Sequence, residues 1–516
     1  MVEHWVVKLA DKVVKEKGKA IVVAAGMTTS GPPHLGTVCE FLYPWALVKE
    51  LRRRGVDAYF VFVGDIMDAF DSIPATLREY SEMLKPHLGK PLVHVPDPYG
   101  CHRSYGEHFL WETTKIMEEF GVKPDEIVGS NELYSEGFYD DYLVFFAERL
   151  DIVKRILEET SLRKLPRSWK DIALPICEKC GKIATTRVLG FNLLEGTIEY
   201  VCDKDVGYAK GCGYKGKVAI RDRMWKLAWR LDWPSRQDFL GVDVEGAGVD
   251  HHTRGGSWDT AVAIHRKLFG KEPPIGFKYG FILLKGRKMS KSKGLGDLNY
   301  ILSLVPPEVL KYFLFRGDLE ENKNFKDDPR FLLSLYEEFR NVGLIFEKKA
   351  EVKEAGLAKK VHAYMLASES EKASLHVSFT DVLVIYQIYG DWKVVKEKLG
   401  FPREIDNLRT YVENWVRLDI IPREYRVKFN PTPISKHVNV VRSFAEKLRE
   451  DMKDIEIHNL VYEVARQYNV NPKELFKVLY EALLGQPYGP RLGRLIVAIG
   501  VSKVKETLLK LTENNI

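Results

Sequence analysis

Two uninterrupted apolar runs with a helical stretch between them constrain this chain more than any other feature. Ala20-Ile21-Val22-Val23-Ala24-Ala25-Gly26 and Ala58-Tyr59-Phe60-Val61-Phe62-Val63-Gly64 lack the alternation of a half-exposed strand. Strands that are apolar on both faces belong inside a parallel sheet. Parallel neighbours need a crossover of about a dozen residues or more. Residues 34 to 54, closed by Gly55, are long enough to supply it as a helix. The segment reads as a βαβ unit, so the fold is expected to be α/β, on a parallel sheet. Apolar spacing over residues 3–17 adds a surface helix before the first strand.

The turn inside this unit is Met27-Thr28-Thr29-Ser30-Gly31-Pro32-Pro33, followed by His34-Leu35-Gly36-Thr37 at the head of the helix. A helix N-terminus presents free N–H groups and a partial positive charge, which suits phosphate. Gly31 and Gly36 permit close approach, and the His34 imidazole can donate to a phosphate oxygen. The same turn would also serve as an ordinary βα connection with a capping serine.

A second stretch is more specific. Gly286-Arg287-Lys288-Met289-Ser290-Lys291-Ser292-Lys293-Gly294 follows Phe281 to Leu284, an apolar run that reads as a strand. Four cationic side chains crowd together there, and the cluster makes most sense opposite a strong anion such as a polyphosphate. A solvated basic turn is the plain alternative; the order K-M-S-K-S over Lys288 to Ser292 argues against it.

The chain has 516 residues, enough for two to four domains. Its 78 basic and 72 acidic residues leave a net charge of +6, too near balance to imply nucleic-acid binding by bulk charge. Any RNA contact must come from local patches. No secretory leader is recognisable at the start, and no apolar run approaches the span of a membrane helix. Six cysteines are sparse, and four fall between Cys177 and Cys212. Cys177 and Cys180 form a C-x-x-C knuckle, with Cys202 and Cys212 after 21 and nine intervening residues. Two pairs of thiolates suit tetrahedral zinc; a lone redox C-x-x-C would not account for the second pair. A looser cluster, Asp97, Cys101, His102 and His108, could form a second tetrahedral set, with His94 as a competing ligand. Those polar residues could equally cap the helix that follows.

The pairing of H-L-G-T after a first strand with K-M-S-K-S about 250 residues later resembles the class I aminoacyl-tRNA synthetases, whose motifs are written H-I-G-H and K-M-S-K-S. Thr37 replaces the second histidine. The run Leu479 to Arg491 (LYEALLGQPYGPR) is similar to the end of the archaeal-type class I lysyl enzymes, and the similarity extends along the whole chain. This resemblance implies a Rossmann-type catalytic domain in two halves, 1–80 and 216–285. Between them lies an insertion, 81–215, with one zinc site and possible room for a second at Asp97 to His108. The lysine loop and a helical connection follow over 286–355, then a helical anticodon-binding domain over 356–516. It further implies ATP contacts from Ser30, His34, Gly36, Thr37, Asp250, Lys288, Met289, Ser290, Lys291 and Ser292. His34, Thr37, Lys288 and Lys291 would stabilise the transferring phosphate. Gly26, Thr28, Trp229, His251 and Tyr279 would receive lysine. ATP with Mg²⁺, lysine and tRNA(Lys) are the implied partners, and the cytoplasm the implied location. A class I enzyme for glutamate or cysteine, or an inactive tRNA-binding relative, are the alternatives. In the order of the chain, Gly255-Gly256-Ser257 is expected to start a helix through Phe269, Tyr279 to open the strand leading to the lysine loop, and the chain to be helical from about residue 305.

Overall fold

Five parallel strands form the central sheet, in the order β8-β7-β1-β2-β3. They are β1 (Ala20–Met27), β2 (Asp57–Gly64), β3 (Glu126–Gly129), β7 (Val244–Gly248) and β8 (Ile275–Tyr279). This is a computed structural model, and it describes residues 3–288, 296–347, 356–368 and 375–513. The two apolar runs pair in register along their whole length, from Ala20 with Asp57 to Met27 with Gly64. Val23, Phe60 and Phe62 are fully buried, as expected for strands covered on both faces. Truncating a phenylalanine such as Phe60 to alanine would cost about 3–5 kcal/mol.

Helix α1 (Trp5–Lys17) precedes β1, and α2 (Cys39–Arg53) is the crossover to β2. The crossover does not begin as an α-helix at His34. A 3-10 turn, Leu35–Val38, comes first. The Thr37 hydroxyl accepts from the His34 N–H (3.1 Å) and donates to the His34 carbonyl (2.7 Å). This reciprocal cap tightens the first turn. Phe41, Leu42, Ala46 and Leu47 of α2 are then fully buried.

The segment 81–215 is not wholly an insertion, because it contributes β3 to the sheet after α3 (Tyr105–Glu119). Beyond β3 it leaves the sheet and forms a separate antiparallel meander, β4 (Thr186–Asn192), β5 (Thr197–Cys202) and β6 (Lys215–Ala219). The chain returns through α4 (Trp229–Phe239), β7, α5 (Ser257–Ile264) and β8. The helix expected through Phe269 relaxes into a π turn at His265–Phe269 and ends at Gly270, φ +65°. Tyr279 closes β8 rather than opening the next strand, Ile282–Leu284.

The chain divides into two compact units. The first comprises residues 1–301, 311–325 and 358–366, and holds the sheet. The second comprises 302–310, 326–357 and 367–516. Its regular elements among the described residues are helices, including α6 (Pro329–Phe346), α7 (Phe379–Tyr389), α8 (Pro402–Arg417), α9 (Asp454–Gln467), α10 (Pro472–Leu484) and α11 (Leu492–Ile499). Asp328 caps α6 by accepting from the N–H groups of Arg330 and Phe331. The fully buried Trp415 donates to the Leu304 carbonyl at 3.0 Å. A Cβ on Gly493 would lie 1.9 Å from the Asp454 carbonyl oxygen, so only glycine lets these helices meet there.

Candidate active site

Strands β1 and β7 are neighbours whose chains run on in opposite directions, one towards β3 and the other to β8. Loops diverging from such a switch point leave a crevice at the carboxyl ends of the strands. Here a cavity of about 330 Å³ is lined by Gly26, Met27, Thr28, Glu40, Asp65, Asp68, Trp229, Arg236 and His251. Four of the five residues expected to receive the amino acid, Gly26, Thr28, Trp229 and His251, therefore meet in one place. The fifth, Tyr279, is buried and acts from behind by donating its hydroxyl to Glu40. Trp229 stacks on Trp233 with ring centroids 5.2 Å apart, and His251 stands edge-on to both. His251 Nδ1 is 2.8 Å from Ser257 Oγ at the start of α5, which fixes the ring.

The ionic floor of this cavity did not come out of the sequence reading. Lys226, itself buried, reaches Asp65 Oδ1 at 2.8 Å and Asp68 Oδ1 at 2.5 Å, with Asp232 Oδ2 at 3.9 Å. Tyr134 and Tyr139 donate their hydroxyls to Asp232, at 2.5 and 3.2 Å. Arg236 Nη1 lies 3.7 Å from Asp65 Oδ2. Burial pushes the Glu40 carboxyl up to about 7, against the pull of the Tyr279 hydroxyl. Burial and the neighbouring Asp65 also push Asp68 up, while Lys226 and Arg236 hold Asp65 below the usual carboxylate range despite its burial. One cue was available in the sequence: Asp65-Ile66-Met67-Asp68 follows β2 at once, and acids at the carboxyl end of a parallel strand point into the crevice region.

Of the expected nucleotide contacts, Ser30, His34, Gly36 and Thr37 lie in the turn that follows β1. Ser30 and Gly36 are half-buried in the turn after β1, and the Ser30 carbonyl accepts from the Tyr105 hydroxyl at 2.9 Å. The Thr37 hydroxyl gives its proton to the His34 carbonyl, so it has none left for a phosphate. Asp250 follows β7, close enough to Glu40 to raise its pKa. Arg287–Lys288 pairs antiparallel with Leu283–Leu284 through a turn at Lys285 and Gly286, both with positive φ. Met289, Ser290, Lys291 and Ser292 lie outside the described residues. On their far side the Leu35 N–H donates to the Gly296 carbonyl at 3.2 Å, and His34 forms a β-bridge with Asp297. The residues bordering the lysine-rich stretch are thus joined to the histidine turn itself.

Two quartets have the chemistry of metal sites. Cys177 and Cys212 have Sγ atoms 3.7 Å apart, as do Cys180 and Cys202. A metal–sulfur bond of about 2.3 Å in a tetrahedron requires an edge of about 3.8 Å, so the thiols already have the right spacing. Gly181 turns with φ +71°, and a Cβ on Gly211 would lie 2.3 Å from the Cys202 carbonyl oxygen. In the second quartet Cys101 Sγ lies 3.4 Å from Asp97 Oδ2, 3.2 Å from His102 Nδ1 and 3.3 Å from His108 Nδ1. The two imidazole Nδ1 atoms are 3.2 Å apart. His94, the competing ligand, is not part of this set.

A profile of the family described as tRNA synthetases class I (K) matches residues 3–369. The chain is 33% identical over 522 residues to the lysine–tRNA ligase of Archaeoglobus fulgidus, covering 98% of this chain and 99% of that one. It is 33% identical over 526 residues to that of Methanosarcina barkeri strain Fusaro, covering 95% and 94%. It is 29% identical over 520 residues to that of Thermoplasma acidophilum, covering 97% of each.

Proposed function

The chain belongs to the class I (K) tRNA synthetases, and from that premise we propose how its crevice works as a lysine–tRNA ligase, with ATP, lysine and tRNA(Lys) as substrates and the cytoplasm as its place of action. What carries the assignment of the crevice is the meeting of Thr28, Trp229 and His251 with three carboxylates, Glu40, Asp65 and Asp68, in one cavity. A pocket so rich in acids and aromatic faces suits a long cationic side chain. It does not suit glutamate.

The first step is attack of a lysine carboxylate oxygen on the α-phosphorus of ATP. The bond between the α-phosphorus and the α,β-bridging oxygen breaks, and lysyl-adenylate and pyrophosphate result. In the second step a ribose hydroxyl of the terminal tRNA adenosine attacks the activated carbonyl, AMP leaves, and the hydroxyl proton is lost. The substrate supplies its own nucleophile, so the protein's task is placement and charge stabilisation. His34 and the free N–H groups of the turn hold phosphate oxygens from one side. Lys288 and Lys291 stabilise charge on the departing pyrophosphate, and Asp250 holds the ribose or the substrate α-amine. Thr37 acts through the cap that fixes His34. Mg²⁺ accompanies ATP as its counter-ion.

The cysteine quartet holds a structural zinc, and Asp97, Cys101, His102 and His108 hold a second. Zinc at the first ties the knuckle at Cys177 to the meander. Pyrophosphate exchange with each of the twenty amino acids tests the reading directly. Exchange dependent on lysine, followed by charging of tRNA(Lys), is expected; exchange supported by a different amino acid would overturn it.

A further inference from the structure

We infer that Asp68 is the carboxylate that reads the side-chain ammonium of the amino-acid substrate, and that Lys226 and Thr28 hold it in position to do so. This rests on the reading that the crevice takes lysine. Three aspartates approach Lys226, but they are not equivalent. The side chains of Asp65 and Asp232 are 4% and 1% exposed, whereas that of Asp68 is 32% exposed and faces the cavity. Asp68 Oδ1 accepts from Lys226, and Oδ2 accepts from the Thr28 hydroxyl at 2.6 Å. Each carboxylate oxygen can accept twice. Both therefore keep an acceptor position on the most exposed carboxylate of the trio.

Charge points the same way. Three carboxylates, those of Asp65, Asp68 and Asp232, stand against two cations, Lys226 and Arg236. Arg236 approaches Asp65 and makes no hydrogen bond through Nη1. With all three ionised the floor is one cation short, and an arriving ammonium supplies it. A neutral side chain would leave a partly buried carboxylate uncompensated, which is costly. Glu40 is placed for the other amine. It stands in the first turn of α2, just after the histidine turn and near Asp250, where the carboxylate end of the substrate must meet ATP.

Lys226 and Thr28 are positioning residues here, not catalytic ones. The roles separate kinetically. In pyrophosphate exchange on the full chain, Asp68→Asn is expected to raise the lysine KM about thirtyfold while the ATP KM changes less than about threefold. The wild type should reject 6-hydroxynorleucine, lysine with a hydroxyl in place of the ammonium, and Asp68→Asn should lose most of that discrimination. A lysine KM within about threefold of wild type, with discrimination intact, would overturn the inference. Should Asp68→Asn fail to fold, Thr28→Val removes only the hydroxyl that anchors Asp68 from the end of β1; a rise of about fivefold in lysine KM is expected, and no change would overturn the proposal equally. If the wild type itself exchanges with another amino acid and not with lysine, the substrate reading has failed, which no variant result can imitate.

Discussion

The cysteine quartet and the floor of the crevice are both clusters of polar side chains drawn together by the fold, and their groups are matched in opposite ways. In the quartet four like groups converge, with Sγ atoms 3.7 Å apart in the Cys177–Cys212 and Cys180–Cys202 pairs and all four within 4.8 Å of one another. A single zinc ion at their centre would satisfy all of them at once. In the crevice floor unlike groups are paired unevenly. Lys226 is held at 2.8 and 2.5 Å, while Arg236 stops 3.7 Å short of Asp65. The floor has one more carboxylate than cation, and the most exposed of them, Asp68, lines the cavity. A structural centre closes on itself, whereas a recognition centre keeps one interaction for its ligand.

The contrast can be broken most violently at the quartet. Cys177→Ser is expected to lower the zinc content by one ion per chain and to cost more than about 5 kcal/mol, since zinc binding is folding energy for such modules. Elemental analysis with thermal unfolding measures both; a full zinc complement would end the metal reading. In the floor, Lys226→Met removes a buried cation and strands two carboxylates. A loss of about 3–5 kcal/mol is expected from denaturant unfolding, together with a weaker lysine KM. A neutral result would mean that the floor is not ionised.

Glu40 sharpens the comparison through pH. Its carboxyl titrates at about 7, and a bound ammonium favours the ionised form. The lysine KM should fall as pH rises from about 6 to about 8, then level off. Stability carries the opposite sign. The folded chain holds this proton more tightly than the unfolded one, so the contribution of Glu40 to stability declines from about pH 4.3 through 7 and is flat above. Glu40→Gln should flatten both profiles, and a lysine KM profile unaltered in that variant would show that another group titrates. The smallest effect is expected at the edge of the site. Thr37→Ala removes the cap on the 3-10 turn, costing about 1 kcal/mol and slowing exchange less than about tenfold. A far larger loss would mean that the hydroxyl leaves His34 to touch phosphate.

Much of the crevice was legible because its walls lie next to strong local patterns. Gly26 and Thr28 end an apolar run, and His251 stands between a strand and a glycine-started helix. Thr37 was harder, since its hydroxyl would serve a phosphate or its own backbone equally well from the sequence, and only the 2.7 Å bond to the His34 carbonyl decides. β3 was hidden for another reason. Four residues, Glu126–Gly129, are too short for a periodic signal, and only pairing with β2 makes them a strand.

The amino-acid sequence by itself determined the βαβ opening, the turn that carries His34, the basic K-M-S-K-S stretch and the cysteine spacing. Each is encoded by residues close along the chain, where periodicity and ligand spacing act directly. Tertiary structure alone decided that Lys226 would bond to Asp68, 158 positions away, and that Tyr279 would prop Glu40 from the far edge of the sheet. The physical reason is that a charge has no fixed meaning in a sequence. Its pKa and its partner are set by what burial places around it.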